Sequence, residues 1–333
     1  MSAAALERRK QEVVARWGPW TAHNVHLGDG VFTMGPQVTG EEIKARRFLQ
    51  LISDLVPPPF DELRIADLGC LEALYAIEFA LRGASVVGVE GRRQNIERAR
   101  FAKDALGLGR LELIEDDVRH FTAEAYGEFD VVLCTGLLYH LEAGSVFALL
   151  ESLGRMCRSL LIVDTHVSLT DAELAFHAGA RFWVPPGGLS ELYAHEHGGV
   201  SYWGRDFTEH DPAATHEQRM AAAWSSLDNA TSFWPTRPSL FNALWQAGFS
   251  SVLECEMPAL PGLPPDRLTV AAIPGTKVIP QATDLLARGS HELQPEFEPA
   301  TEREEQRVDD AAPSVRRVLG SVRRRVRSMK SRP

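Results

Sequence analysis

The stretch Leu63–Gly136 opens with LRIADLGCLEALYAIEFALRGA (63–84). It continues through SVVGVEG (85–91), LELIEDD (111–117) and DVVLCTG (130–136), and LLYHL (137–141) follows. These four short apolar runs, separated by helical patterns, predict parallel strands joined by crossover helices. Open sheets of this kind place ligands at the carboxyl ends of their strands. Polar groups collect there in this chain: Asp67 and Gly69 after the first strand, Glu90 after the second, Asp116 and Asp117 after the third. Glu90 stands about 20 residues beyond the glycine turn, where an acid can accept hydrogen bonds from a ribose.

A dinucleotide fold wants G-x-G-x-x-G, because bare backbone must approach a pyrophosphate. Here Gly69 is the first glycine, but Leu71 and Leu74 hold the next two glycine positions. Two leucines at that turn argue against a pyrophosphate. S-adenosylmethionine (SAM) has a ribose and an adenine but no phosphate. The candidate cofactor residues are therefore Asp67, Gly69 and Cys70 at the first turn, and Glu90 and Gly91 at the second. Asp116, Asp117 and Val118 stand at the third turn, with Cys134 and Gly136 at the fourth. The alternative is a doubly wound fold that binds something else, or nothing.

At these residues the chain resembles the class I SAM-dependent methyltransferases, over roughly residues 64–275. It is most similar to a subgroup that includes the tRNA wobble-uridine carboxymethyltransferases and many uncharacterised bacterial methyltransferases. That pattern has a GC-x-x-G loop followed by an aromatic and later RRGA, then LYH on the fourth strand. This chain has GCLEA, Tyr75, LRGA and Leu138-Tyr139-His140, with Ala73 in place of the loop's last glycine. The segment Ser232-Phe233-Trp234-Pro235-Thr236 resembles the subgroup's aromatic-Pro-Ser segment before its last helix. The resemblance implies an α/β fold: a doubly wound, seven-stranded Rossmann-like sheet with an antiparallel final strand.

In the resembled tRNA enzymes a tyrosine, an arginine near the last strand and a lysine in an R-K-G-P segment hold a carboxylated SAM. Tyr139 and Arg267 match the first two. Trp17 replaces the lysine in Arg16-Trp17-Gly18-Pro19. Ordinary SAM and plain methyl transfer are therefore expected. Methyl transfer mainly requires alignment, and a hydroxyl acceptor gains from a base. His140 and His166 both end central strands, and imidazole suits that role. Three readings stay open: His140 as base, His166 as base, or no dedicated base.

Residues 1–60 read as an N-terminal helical cover, with helices near residues 1–17 and 40–56, the second stopped by Pro57-Pro58-Pro59. A helix near 143–156 leads to the strand SLLIVDTH (159–166), and residues 61–275 form the catalytic domain. Within it, residues 167–236 are a large aromatic insertion containing Phe176, Phe182, Trp183, Tyr193, Tyr202, Trp203, Phe207, Trp224, Phe233 and Trp234. Such an insertion is a natural pocket wall, which makes Tyr202, Trp203, Trp234 and Arg267 candidate substrate residues. A small satellite core is the alternative. His195-x-His197 with His210 or His216 matches no zinc spacing, so no metal is expected. A helix near 238–247 follows, and the last two runs, SVLECEMP and LTVAAIPG, lie too close for a crossover helix. They should pair as an antiparallel hairpin.

The composition is ordinary for a globular chain, at 44% hydrophobic and 24% charged. No run of 18 apolar residues and no signal-peptide core occurs, so a cytoplasmic location is expected. Cys70, Cys134, Cys157 and Cys255 lack any C-x-x-C and read as small hydrophobes. The formal net charge is −10, yet the last 21 residues carry eight Arg or Lys and no acid, leaving a body of −18. Such a body repels a polyanion, so nucleic acid is not the expected partner. Residues 276–312 read as a flexible linker. Residues 313–333 read as a basic amphipathic tail for peripheral contact with the inner face of the membrane. Nucleic acid, an acidic protein or solvent could instead meet that tail.

The expected activity is O-methylation of a small molecule, sugar or glycan precursor. The alternatives are a tRNA-modifying methyl- or carboxymethyltransferase and a catalytically inactive SAM-fold scaffold.

Overall fold

The computed structural model describes residues 2–276 except 38, 178–188, 212, 223–224 and 258–263. Phe182, Trp183, Trp224, nearly all of the expected linker and the basic tail lie outside the described residues.

The chain begins with α1 (Ala3–Trp17), capped by the Ser2 side chain, and a small hairpin of β1 (His26–Gly28) and β2 (Val31–Phe32). Helix α2 (Glu41–Leu55) follows. The central alternation is β3 (Arg64–Leu68), α3 (Leu74–Leu81), β4 (Ser85–Glu90), α4 (Arg93–Leu106), β5 (Leu111–Glu115) and the short α5 (Ala123–Tyr126). It continues with β6 (Phe129–Thr135), α6 (Ala143–Met156) and β7 (Cys157–His166). Next come α7 (Asp171–Phe176), β8 (Tyr193–His197), β9 (Val200–Thr208), α8 (His216–Ala221) and β10 (Thr231–Pro235). Helix α9 (Arg237–Gln246), β11 (Phe249–Glu254) and β12 (Arg267–Pro274) close the described chain.

Seven strands form one sheet in the order β11-β12-β7-β6-β3-β4-β5. Strands β3 to β7 pair in parallel, and β12 runs antiparallel to both β7 and β11. This is the expected doubly wound Rossmann-like sheet with a reversed final strand. The central strands are buried on both faces: Ile65, Ala66 and Leu68 of β3, and Val131–Cys134 of β6, are fully shielded. That explains why they read as continuous apolar runs rather than alternating ones. One core lies under α2, α3 and α4, and the other under α6 and α9.

The insertion contains a separate antiparallel sheet, ordered β10-β9-β8. It docks on the main body through Phe233 N to Leu141 O (2.8 Å) and Ser168 N to Pro235 O (2.9 Å). Its inner side is aromatic, with Tyr202 stacked on Phe147 of α6 at 4.2 Å. Among the described residues, no helix is long and apolar enough to cross a membrane.

Candidate functional site

A cavity of about 370 Å³ opens at the carboxyl ends of β3, β4, β6 and β7. Its floor begins at the β3–α3 turn. Gly69 has φ +63°, and a Cβ there would come within 3.1 Å of Leu137. The bare backbone at this point therefore leaves room that a side chain would fill. Leu71 and Ala73 also adopt positive φ, 51° and 64°. For residues with a Cβ this costs roughly 1–2 kcal/mol each, so the loop is held in a strained shape.

Glu90 holds that shape. Its carboxylate accepts from Leu71 N at 3.0 Å and from Arg92 N at 2.8 Å. The side chain is buried, and burial raises its pKa above the ordinary carboxylate range. Gly91 beside it also lines the cavity. Asp67 lies deeper: one oxygen accepts from Ala76 N at 3.2 Å, and the other is buried without a partner among the described residues. Burial raises its pKa to about 7.

At the end of β5, Asp117, Val118 and Arg119 line the cavity. Asp117 caps the following turn and pairs with Arg119 at 2.9 Å. Asp116 turns away from the cavity, bonded to Asp117 N (2.7 Å), His120 (2.9 Å) and the Tyr126 hydroxyl (2.5 Å).

Two parts of the chain cover the cavity. Ala22 and His23 cross the first loop because buried Glu72 accepts from Thr21 N (2.7 Å), Ala22 N (3.2 Å) and His23 N (3.0 Å). Ser225–Asn229 form a strap on the opposite side. Arg92 fixes the strap, donating to the carbonyls of Ser225 and Ser226 at 2.9 Å each. Asp228 pairs with Arg119 at 2.9 Å.

The far end of the cavity holds Tyr139, His140, Asp164, Arg267, Glu41 and Lys44. Arg267 Nε donates to Asp164 at 2.9 Å, while its NH1 reaches His166 Nε2 at 3.0 Å and the Tyr139 hydroxyl at 3.4 Å. Burial works against the Arg267 charge, but Asp164 more than offsets it, and the net effect is a raised pKa. Burial likewise raises Asp164, yet Arg267 and then Lys44 outweigh it and hold the carboxyl below its usual value. The Lys44 ammonium lies 2.9 Å from Glu41. Trp17, at the position where the resembled tRNA enzymes carry lysine, packs beneath Arg16 at 4.8 Å and is absent from the cavity wall.

His140 presents a different arrangement. Its Nδ1 lies 3.1 Å from both carboxylate oxygens of Glu209, just after β9. Burial pushes Glu209 up, but its bond to His140 and the attraction of that ring prevail, and the net shift is downward. His166 has both nitrogens occupied, Nδ1 by Asp266 at 3.0 Å and Nε2 by Arg267. Its ring stacks on Trp234 at 4.7 Å, and burial lowers its pKa.

The structure thus gathers Gly69, Glu90, Gly91, Asp117, Val118 and Gly136 around the cavity, with Tyr139, His140 and Arg267 at one end. Asp67, Cys70, Asp116, Cys134 and His166 stand outside its wall. Cys70 and Cys134 are buried, with burial raising both thiols. The aromatic candidates are also elsewhere. Tyr202 stacks on Phe147, and Trp203 is bonded through its backbone N to Ser239 at 2.7 Å. Trp234 is sandwiched against Phe207 at 3.7 Å and donates to the Tyr139 carbonyl at 2.9 Å. Tyr202 thus belongs to the core under α6, Trp234 packs behind Tyr139, and none of the three lines the cavity. Glu209, Arg92, Lys44 and the 225–229 strap went unread in the sequence, since nothing in their local spacing marks them. The histidines of the insertion disperse: His197 reaches Glu151 at 3.0 Å, and His210 reaches the Ser226 carbonyl at 2.8 Å.

Residues 65–159 match the family model described as a methyltransferase domain. Curated relatives include a ubiquinone biosynthesis O-methyltransferase of Roseobacter denitrificans, 41% identical over 88 residues. That alignment covers 25% of this chain and 33% of the relative. One of Brucella anthropi is 37% identical over 138 residues, covering 39% of this chain and 53% of the relative. The chain therefore spans a third to about half the length of these relatives. Among solved structures, the N-terminal domain of EvdMO1 with SAH bound is 25% identical. The match has a TM-score of 0.56 and covers 83% of this chain and 98% of that one. The same domain in the presence of SAH and D-fucose is 26% identical with a TM-score of 0.55. The chain carries a class I SAM-dependent methyltransferase domain.

Proposed function

We propose that this chain, built on a class I SAM-dependent methyltransferase domain, methylates a hydroxyl group of a small molecule. The observation that carries this reading is the continuity of the cavity from Glu90 and Val118 to Tyr139 and His140. One end suits a nucleoside, and the other offers an imidazole to an acceptor. Glu90 already has a fixed orientation, because two backbone amides hold it, and it can still accept from ribose hydroxyls. Gly69 and Gly136 present bare backbone to the methionine portion, and the orphaned oxygen of Asp67 is a second acceptor behind them. When bound, SAM supplies a methyl group already activated on a sulfonium.

The chain's own residues then orient and deprotonate. Tyr139 is fixed by its carbonyl bond from Trp234 and by Arg267. His140 is the better base, since His166 has no free nitrogen. Lys44 is neutralised by Glu41, and Arg267 by Asp164, so among the described residues at that end no countercharge is left for an added carboxylate. This supports ordinary SAM over a carboxylated form.

The ubiquinone O-methyltransferase relatives support an oxygen acceptor, and the EvdMO1 domain studied in the presence of D-fucose supports a sugar-like one. We place the enzyme in the cytoplasm, with residues 313–333 meeting the inner membrane face, where lipid-linked glycan precursors are assembled. Cosedimentation of the full chain with anionic vesicles, lost on removing the tail, tests that placement. Incubation with methyl-labelled SAM and fractionated cell extract tests the activity. Label in a small-molecule or glycan fraction is expected, and label in tRNA would overturn the reading.

A further inference from the structure

Glu209 is contributed by the insertion, not by the methyltransferase sheet. It follows β9, is fixed by its own amide to the Ala230 carbonyl (2.9 Å), and accepts from Ser226 N at 2.8 Å. Both of its carboxylate oxygens reach the same nitrogen of His140. The side chain of His140 is 19% exposed and that of Glu209 is 8% exposed, so the contact is shielded from water and weakly screened. His140 is held from two further directions. Asn229 donates to its carbonyl at 3.0 Å, and the Tyr139 ring lies tilted against its own at 4.3 Å.

Building on the methyltransferase reading, we propose that Glu209 is a positioning residue for proton removal, fixing His140 with Nδ1 protonated and Nε2 bare toward the acceptor hydroxyl. A carboxylate can only accept, so the hydrogen between the two groups must belong to Nδ1. The remaining lone pair is then on Nε2. One proton leaves the acceptor oxygen, which keeps the electron pair of the broken bond, and arrives on Nε2. The positive charge created on the ring faces the Glu209 carboxylate.

The other charged groups nearby leave this pairing intact. Arg92 is within electrostatic reach of Glu209 but is committed to the strap carbonyls. Asp228 is paired with Arg119, and Arg267 behind Tyr139 is paired with Asp164. The strap residue Ser226 ties Glu209 to the part of the insertion that covers the cavity. Base orientation and cavity closure are thereby linked.

Long-range 1H–15N NMR of the full chain with labelled histidine reads the tautomer directly, with the His140→Phe spectrum assigning the signal. The expected wild-type result for the neutral ring is a single Nδ1–H tautomer. In Glu209→Gln a mixture of tautomers is expected. Glu209→Asp should restore part of the wild-type signature. An Nε2–H tautomer in the wild type would overturn the proposal, whatever the variants do. So would an unchanged His140 signal in a folded Glu209→Gln protein. Calorimetry with S-adenosylhomocysteine on the same sample separates the two readings. Failure to bind would sink the methyltransferase assignment, while the tautomer is read either way.

Discussion

Leu227 lies directly against Gly91: a Cβ built on that glycine would come within 2.4 Å of Leu227 Cδ1. The glycine follows Glu90, so the covering strap touches the chain immediately beside the proposed ribose acceptor. A branched side chain at residue 91 must push the strap away. Overpacking of this kind costs about 1–3 kcal/mol. Gly91→Val should therefore weaken S-adenosylhomocysteine binding about tenfold or more. Gly91→Ala should lose less, because the end of a leucine can swing aside. Titration calorimetry distinguishes the two.

Arg267 and Asp164 form a buried pair linking β12 to β7. Removing the guanidinium leaves a shielded carboxylate without its countercharge, which costs about 3–5 kcal/mol. Arg267→Met should lower the melting temperature sharply. Arg267→Met combined with Asp164→Leu should recover part of the loss, as measured by a double-mutant cycle of denaturant melts.

Asp67 gives a pH dependence with a definite sign. Its folded pKa of about 7 lies above its ordinary value of 3.8, because burial opposes the charge. The folded state therefore binds the proton more tightly than the unfolded one. This contribution to stability is fully present below pH 3.8 and is lost as pH rises through about 7. Asp67→Asn should raise the melting temperature more at pH 8 than at pH 5. Thermal melts across that range check it.

Much of this architecture is legible in the chain. The runs IADL, VVGVE and VVLCT are buried on both faces, so their composition alone marks central strands. The nine-residue connection between the last two runs is too short for a crossover, and β11 and β12 do pair antiparallel. The place of Glu90 at the cavity could be read because the distance from a glycine turn to the end of the next strand is set by one strand-helix-strand unit.

The insertion resisted reading because tertiary partners decide its side-chain directions. Trp234 looks like a pocket wall in sequence, yet it stacks on Phe207 and His166. Asp116 and Asp117 are adjacent and look equivalent, but Tyr126 and His120 draw the first outward. Glu209 meets His140 across 69 residues, and no local spacing encodes that contact. Lys44 enters the cavity from α2 by the same kind of long-range placement.

The central claim is that Glu90 grips the nucleoside of the methyl donor, and calorimetry with S-adenosylhomocysteine tests it most directly. Wild-type protein should bind one equivalent. Leu71 N and Arg92 N bond different oxygens of Glu90, so Glu90→Gln keeps an acceptor for only one of them and also loses the charge. Hydrogen bonds to a charged group contribute about 1.5–3 kcal/mol, so its affinity should fall at least about tenfold. Equal affinity in Glu90→Gln, or no binding by the wild type, would contradict the account.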